Sequence, residues 1–285
     1  MRLRLIMMKR IALAWLTAPL VFSLVGSTRA QTPSDLMPEA SAIKAKSLLH
    51  QAVEALGGAR FVNVHTSDCS ARMASFERSG ASGGSIEVRI ARQYPDKTRI
   101  EYHGSNYITD IFLFEVHGKG VVTNVYTGDA AWSIGRGGVV SDQPPDVISD
   151  YKEQMQTDAN TIMRSRLDDP SLFFRYAGTD IVDLQVADLI EVGDRNGHTV
   201  RIALDQKTHL PLRTSVLKRD PKTRDQLDRT TIFSNYHLVD GIQTPWQVTR
   251  LQNGWQALQT FYESCQYNTD LPDALFNRPS SSIRK

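Results

Sequence analysis

The sequence predicts a mainly β fold with some α structure: a curved antiparallel sheet covered by two helices. Three observations support this prediction. Short runs of alternating apolar and polar residues recur along most of the chain. Residues that favour turns separate these runs, and only two segments have the three- and four-residue spacing of amphipathic helices. Strands that follow one another without intervening helices form an antiparallel meander.

The first 30 residues have the layout of a secretory signal. A basic head with Met7-Met-Lys-Arg10 precedes an apolar run from Ile11 to Val25, and Ser27-Thr-Arg-Ala30 places small residues at a cleavage site. The apolar run is shorter than the ~20 residues of a spanning helix, so cleavage is favoured over an uncleaved anchor. Residues 1–30 are therefore predicted to be a signal peptide and the mature protein to be exported.

Removal of this signal changes the charge of the protein. It takes away five basic and no acidic residues, so the formal charge falls from +2 to −3. The mature chain thus has no net positive field to attract nucleic acid, and we expect no nucleic-acid partner. We expect a disordered leader at 31–38, one domain at 39–279 and a polar tail at 280–285.

The first amphipathic helix is predicted from Glu39 to Leu56, ended by Gly57-Gly58. Strands follow, with Cys69, Ala71 and Met73 on one face of the first and Ile86, Val88 and Ile90 on one face of the second. Because this helix needs an apolar partner, we expect it to cover the sheet.

A second helix is predicted from Asp146 to Arg166, beginning after Pro144-Pro145 and ending before Asp169-Pro170. Its apolar residues form one stripe, and an apolar patch at 171–176 follows it. A helix inserted between strands of an antiparallel sheet is expected to pack across one face.

The second half reads as a hairpin array. An alternating run from Ile181 to Val192 leads to Asn196-Gly197, a strong hairpin signal. Further turns are predicted at Gln206-Lys-Thr-His209 and Val239-Asp-Gly-Ile-Gln-Thr-Pro245. The tip from Lys218 to Arg224 is basic, which indicates either a solvated turn or a contact with an anionic partner.

The two cysteines leave two interpretations open. Cys69 lies near the first strand and Cys265 in the last. In an oxidising compartment they are candidates for a disulfide that closes a loop of nearly 200 residues. Alternatively they are two separate buried thiols.

No pattern for catalysis, a cofactor or a metal is recognisable. The seven histidines, including His103 and His117, form no zinc-ligand motif. Gly135-Arg-Gly-Gly138 is not followed by a helix and indicates a turn, not a phosphate loop. We therefore expect a protein without enzymatic activity, cofactor or metal.

The remaining signal is apolar. Five residues are candidates for lining a ligand cavity: Trp132, Met155, Ile162, Phe173 and Phe174. Ordinary core packing is the simpler interpretation of such residues. The alternative is that a strongly curved sheet leaves a gap that an acyl chain fills.

Several segments resemble bacterial exported proteins of the LolA/LolB-like superfamily, the outer-membrane lipoprotein-sorting proteins. They are Ala55-Leu-Gly-Gly58, Tyr126-Thr-Gly-Asp-Ala-Ala-Trp132, Leu204-Asp-Gln-Lys-Thr-His-Leu-Pro-Leu-Arg213, Tyr236-His-Leu-Val-Asp-Gly-Ile-Gln-Thr-Pro245 and the closing Leu271 to Phe276. The resemblance implies a half-open barrel with a helical lid over a cavity for lipid or lipoprotein acyl chains. The expected function is a periplasmic carrier; the alternative is an envelope scaffold or sensor with a filled barrel and a protein partner.

Overall fold

The structure is a computed structural model that describes residues 37–104, 108–109, 115–116, 120–219 and 226–280. The predicted signal peptide, His117 and most of the basic tip at 218–224 lie outside these residues. So do residues 281–285 of the expected tail.

Thirteen strands form a single antiparallel sheet that curves without closing. The thirteen strands are β1 (Thr66–Phe76), β2 (Ser82–Gln93), β3 (Lys97–His103), β6 (Val121–Thr127), β7 (Ala131–Ile134), β8 (Val140–Asp142), β9 (Leu172–Val182), β10 (Gln185–Asp194), β11 (Thr199–Asp205), β12 (Pro211–Arg219), β13 (Gln226–Val239), β14 (Ile242–Gln252) and β15 (Trp255–Tyr267). Their order in the sheet is β8-β7-β6-β3-β2-β1-β15-β14-β13-β12-β11-β10-β9, so β8 and β9 are the two edges. The predicted fold class is confirmed. Two short strands, β4 (Ile108–Thr109) and β5 (Glu115–Val116), pair separately.

Helical segments precede, interrupt and follow the sheet. They are α1 (Pro38–Leu56), α2 (Ala59–Val62), α3 (Pro145–Thr157), α4 (Ala159–Thr161), a π-helical turn (Ile162–Arg166) and a 3-10 turn (Asp273–Phe276). Pro38, assigned above to the leader, begins α1, where its missing N–H costs no hydrogen bond. Of the helices in the described ranges, none is both long and apolar enough to cross a membrane.

β1 and β15, which are the first and last strands of the sheet in chain order, lie next to each other at its middle. Cys69 of β1 and Cys265 of β15 are directly opposite residues of this antiparallel pair. A disulfide joins them across 196 residues of sequence. The long N- and C-terminal parts of the sheet are thus linked covalently at their junction.

The predicted second helix is not continuous. Asp158 has extended backbone (φ −68°, ψ 127°) and divides α3 from α4. Its carboxylate accepts a hydrogen bond from the N–H of Thr161 at 2.9 Å, so it caps the second segment. The apolar stripe continues through the break, because Tyr151 before it and Ile162 and Met163 after it are all buried.

The strand assignment after this helix also needs correction. The segment taken as an apolar patch is the first half of β9, and the run from Ile181 to Val192 is two strands with a tight turn between them. Asp183 and Leu184 form this turn with φ values of 48° and 64°. Positive φ at both central residues is the geometry of a tight hairpin, which an Asp-Leu pair does not announce.

Two apolar clusters mark the two faces of the sheet. On the concave face, α1 and the π-helical turn pack against β9 to β12 around Leu49, Ile162 and Ile202. On the opposite face, Trp132 and Val125 pack with Phe276 of the 3-10 turn. These helical segments therefore cover the part of the concave face that β9 to β12 form. Beyond α1, the interior is not filled in the way of an ordinary core.

Candidate functional site

A cavity of about 280 Å³ lies between the concave face of the sheet and the segment α3–α4. Small-molecule sites in proteins occupy roughly 300–1,000 Å³, so this volume suits one small or slender ligand. Strands from both halves of the sheet supply its walls, among them β1 to β3 and β12 to β15. We refer to it as the lidded cavity.

The apolar part of the lidded cavity comes from the long strands β12 to β14. Val216, Phe233 and Val248 line it and are only partly buried, although they occupy inward positions. Asn235 has a φ of 54° and interrupts the pairing of β13 with β14. Phe233 and Tyr236, on either side of this irregularity, both line the cavity.

The lid helix α3 is fixed to the first half of the sheet by Tyr151. Its ring stacks on Tyr126 of β6, with centroids 4.5 Å apart and planes 16° apart. Its hydroxyl lies 3.0 Å from Oγ1 of Thr98 and 3.1 Å from the carbonyl oxygen of Asp96. The buried phenol therefore has both an apolar and a polar partner on this wall.

The same helix is fixed to the second half of the sheet by ion pairs. Asp150 accepts hydrogen bonds from Lys218 of β12 at 2.8 Å and from Arg229 of β13 at 2.9 Å. Glu153 lies 3.2 Å from Lys218. Burial acting alone would raise the pKa of Asp150, but the hydrogen bonds and charges of Lys218 and Arg229 lower it below its ordinary value.

Basic side chains face the interior of the lidded cavity. Arg92 of β2 lies opposite Thr98 of β3 on the concave face. The guanidinium of Arg164 lies 4.5 Å from the ring centre of Phe61 and 4.6 Å from that of Tyr94. Burial raises the pKa of the Tyr94 hydroxyl, yet the charges of Arg92 and Arg164 outweigh it, and the pKa is lowered.

The five residues expected to line a cavity are not brought together. Met155 lines the lidded cavity. Trp132 lies on the opposite face, because it pairs with Val125 whereas the inward residue of that strand is Tyr126. Ile162 and Phe174 are buried in the cluster under α1. Phe173 is 60% exposed, since it alternates with Phe174 along β9.

Sequence reasoning missed the cationic residues of the site. One signal was present: Arg92 continues the alternation of Ile86, Val88 and Ile90 and so places a charge at a core position. Arg164 directly follows the buried Met163 near the end of the second helical segment. No pattern in the sequence indicates that these two arginines share a cavity.

Within the described ranges, no cluster of three or more histidine, cysteine, aspartate or glutamate side chains is placed to hold a metal ion. Nε2 of His103, a histidine considered above as a zinc ligand, lies 3.7 Å from Oε2 of Glu101 at the end of β3. Its suggested companion, His117, is outside the described residues.

Comparisons by sequence identify no relative. No family model matches the chain, and no curated protein matches it.

Comparison of structures identifies proteins with the same architecture. A DUF1329 family protein from Desulfovibrio piger has a TM-score of 0.54 at 17% identity, with 82% of this chain and 97% of that chain covered. An outer membrane lipoprotein-sorting protein domain from Vibrio parahaemolyticus has a TM-score of 0.52 at 13% identity, with 83% and 97% covered. A LolA superfamily protein from Nitrosomonas europaea has a TM-score of 0.51 at 13% identity, with 82% and 97% covered.

The fold and the site define a class: proteins with an open, curved antiparallel sheet and a helical lid over an internal cavity. Within this class the chain has a LolA-like fold. The resemblance read from its sequence is confirmed at the level of the fold.

Proposed function

We propose that this chain is a periplasmic carrier that holds the apolar part of a lipid, or a lipoprotein acyl chain, in the lidded cavity. The observation that supports it is an internal space of about 280 Å³ beside the partly buried Phe233 and Val248. Each methylene transferred from water into such a space contributes about 0.8 kcal/mol. The cavity favours a carrier over the alternative of a filled sheet that acts through a protein partner.

A neutral homologous series tests this proposal. Decanol, dodecanol and tetradecanol are titrated into the purified mature protein, with displacement of Nile red as the signal. Affinity is expected to rise about fourfold per methylene until the chain fills the cavity, and then to level off. Native mass spectrometry should also show lipid that co-purifies with the protein.

Two variants on one strand connect binding to the cavity. Val248→Trp fills the space from β14, whereas Gln247→Trp places the same ring on the other face of that strand. Loss of binding in the first and retention in the second is the expected result. Equal binding by both variants, or no binding of any alcohol by the wild type, would overturn the carrier.

A further inference from the structure

The charges that line the lidded cavity are unequal. Among the described residues the lining includes five basic side chains and two acidic ones: Arg92, Lys97, Arg164, Arg229 and Arg250 against Glu153 and Asp158. Most of these have evident structural partners. Arg229 pairs with Asp150, and Asp158 caps α4. The excess of positive charge is therefore concentrated in the rest of the lining.

Arg92 and Arg164 differ from the basic side chains that hold the lid helix. Within the described part of the chain, neither forms an ion pair with a carboxylate, whereas Lys218 and Arg229 at the lid each do. A guanidinium keeps its charge under all ordinary conditions. The carboxylate of Asp158 acts on Arg92 only at a distance, without an ion pair. Two guanidinium charges that face a cavity without a paired carboxylate favour an anion from outside.

The hydrogen-bonding state of Arg164 supports the same conclusion. Its Nε and Nη1 atoms are buried and have no acceptor among the described residues. The rings of Phe61 and Tyr94 lie beside the guanidinium. The Tyr94 hydroxyl accepts a hydrogen bond from Arg164, but Nε and Nη1 remain without an acceptor. Buried donors without acceptors are rare and destabilising, so a ligand oxygen that accepted their hydrogen bonds would be stabilised here.

Tyr94 lies close enough to Arg92 and Arg164 for their charges to change the pKa of its hydroxyl. Burial alone would raise its pKa, but the charges of Arg92 and Arg164, together with hydrogen bonds from Arg164 and Ser67, lower it. Because β13 and β14 add the apolar Phe233 and Val248 to the same lining, the site combines a cationic region with an apolar one. Its volume of about 280 Å³ fits one chain better than several.

We propose that the lidded cavity binds a single-chain amphiphile with a compact anionic head, a carboxylate or a phosphate monoester, whose oxygens accept hydrogen bonds from Arg92 and Arg164. This inference rests on the proposed carrier function and narrows its ligand. Planar guanidinium groups match both kinds of head group because they donate two parallel hydrogen bonds. The acyl chain then lies against the side chains of β12 to β14.

Calorimetric titration of the mature protein with four probes of known chemistry tests the proposal. The probes are dodecanoate, dodecyl phosphate, dodecanol and inorganic phosphate. We expect at least one anionic amphiphile to bind about tenfold or more tightly than dodecanol, and inorganic phosphate to bind weakly. The two anionic arms separate a fatty acid from a phosphorylated lipid as the preferred source of the head group.

Variants then assign the head group to the two arginines. Arg92→Gln and Arg164→Gln should each weaken the anionic amphiphile about tenfold and leave dodecanol unchanged. Arg201→Gln, which removes an arginine with a 61% exposed side chain from the outer face, serves as the matched control and should bind like the wild type. If a glutamine variant does not fold, Arg92→Lys or Arg164→Lys takes its place. Lysine keeps the charge but cannot donate two parallel hydrogen bonds, so part of the affinity for the anionic amphiphile should be lost.

The outcomes separate the two proposals. Equal affinity for dodecanol and the anions, or full anion affinity in both glutamine variants, overturns the anionic ligand and leaves the carrier standing. Tight binding of inorganic phosphate without any gain from a chain overturns the amphiphile. Failure of every alkyl probe overturns both the ligand and the carrier.

Discussion

Asp150 and Tyr151 are consecutive residues of α3, yet they contact opposite walls of the curved sheet. Tyr151 bonds with Thr98 on β3, and Asp150 with Arg229 on β13. In the sheet these strands are separated by β2, β1, β15 and β14. One turn of helix therefore bridges the open side of the sheet and closes the lidded cavity.

Removal of the Asp150 charge should loosen the lid. Asp150→Asn leaves Lys218 and Arg229 without the carboxylate they share, and we expect a loss of about 1–3 kcal/mol in the free energy of unfolding. Hydrogen exchange of residues 145–157 should accelerate more than that of β1 and β2. Denaturant unfolding and exchange mass spectrometry measure the two effects.

Asp129→Asn is the matched control for this variant. Asp129 also pairs with a basic residue of α3, Lys152, but its side chain is 95% exposed. Solvent screening makes such a pair weak, so exchange of α3 should remain as in the wild type. An equal effect of both substitutions would contradict the role assigned to Asp150.

The ion pairs of the lid predict a dependence on pH. The pKa of Asp150 is lowered from its ordinary value of 3.8, so its contribution is complete above that value and is lost as the pH falls through the lowered folded pKa. Protection of α3 should therefore be constant from neutral pH to about pH 5 and decline below pH 4. Exchange measured against pH in the wild type and in Asp150→Asn isolates this step, which the variant should lack.

The other attachment of the lid is tested by Tyr151→Phe. This change keeps the ring that stacks on Tyr126 and removes the hydroxyl that bonds with Thr98 and Asp96. A loss of about 1 kcal/mol in the free energy of unfolding is expected. Combined with Asp150→Asn in a double-mutant cycle, it measures whether the two walls hold the helix independently. Unchanged stability would mean that the hydroxyl contributes nothing to lid closure.

The disulfide should contribute substantially to stability. Cys69 and Cys265 are joined across 196 residues at the junction of the two halves of the sheet. Replacement of both by alanine should lower the free energy of unfolding by about 3–5 kcal/mol, with the circular dichroism of the folded state retained. The wild type treated with reductant should fall to the same stability, and a smaller effect in both would show that the bond adds little.

The predicted signal sequence gives a direct measurement. When the full chain is expressed in a bacterium that exports it, the intact mass of the periplasmic protein should equal that of a chain that begins at Gln31. Ala30→Leu should slow the cleavage because a bulky residue does not suit the cleavage site. A periplasmic protein that retains residues 1–30 would contradict the prediction.

The sequence alone determined the fold class and most strand positions, because both depend on local patterns. Alternation places Ile86, Val88 and Ile90 on one face of β2, and Asn196-Gly197 fixes a hairpin. It could not locate the turn at Asp183-Leu184 or the break at Asp158. Those depend on backbone conformations that the residue types permit but do not demand.

The lidded cavity was decided by tertiary structure. Trp132 and Arg92 show why. Trp132 is of a residue type expected in a cavity lining, yet it lies on the opposite face. Arg92 is of a residue type expected on the surface, yet it faces the cavity. Strand register decides the face, and curvature decides which distant strands meet around one space. The sequence determined a curved sheet with a lid, whereas pairing across nearly 200 residues determined which side chains the lid encloses.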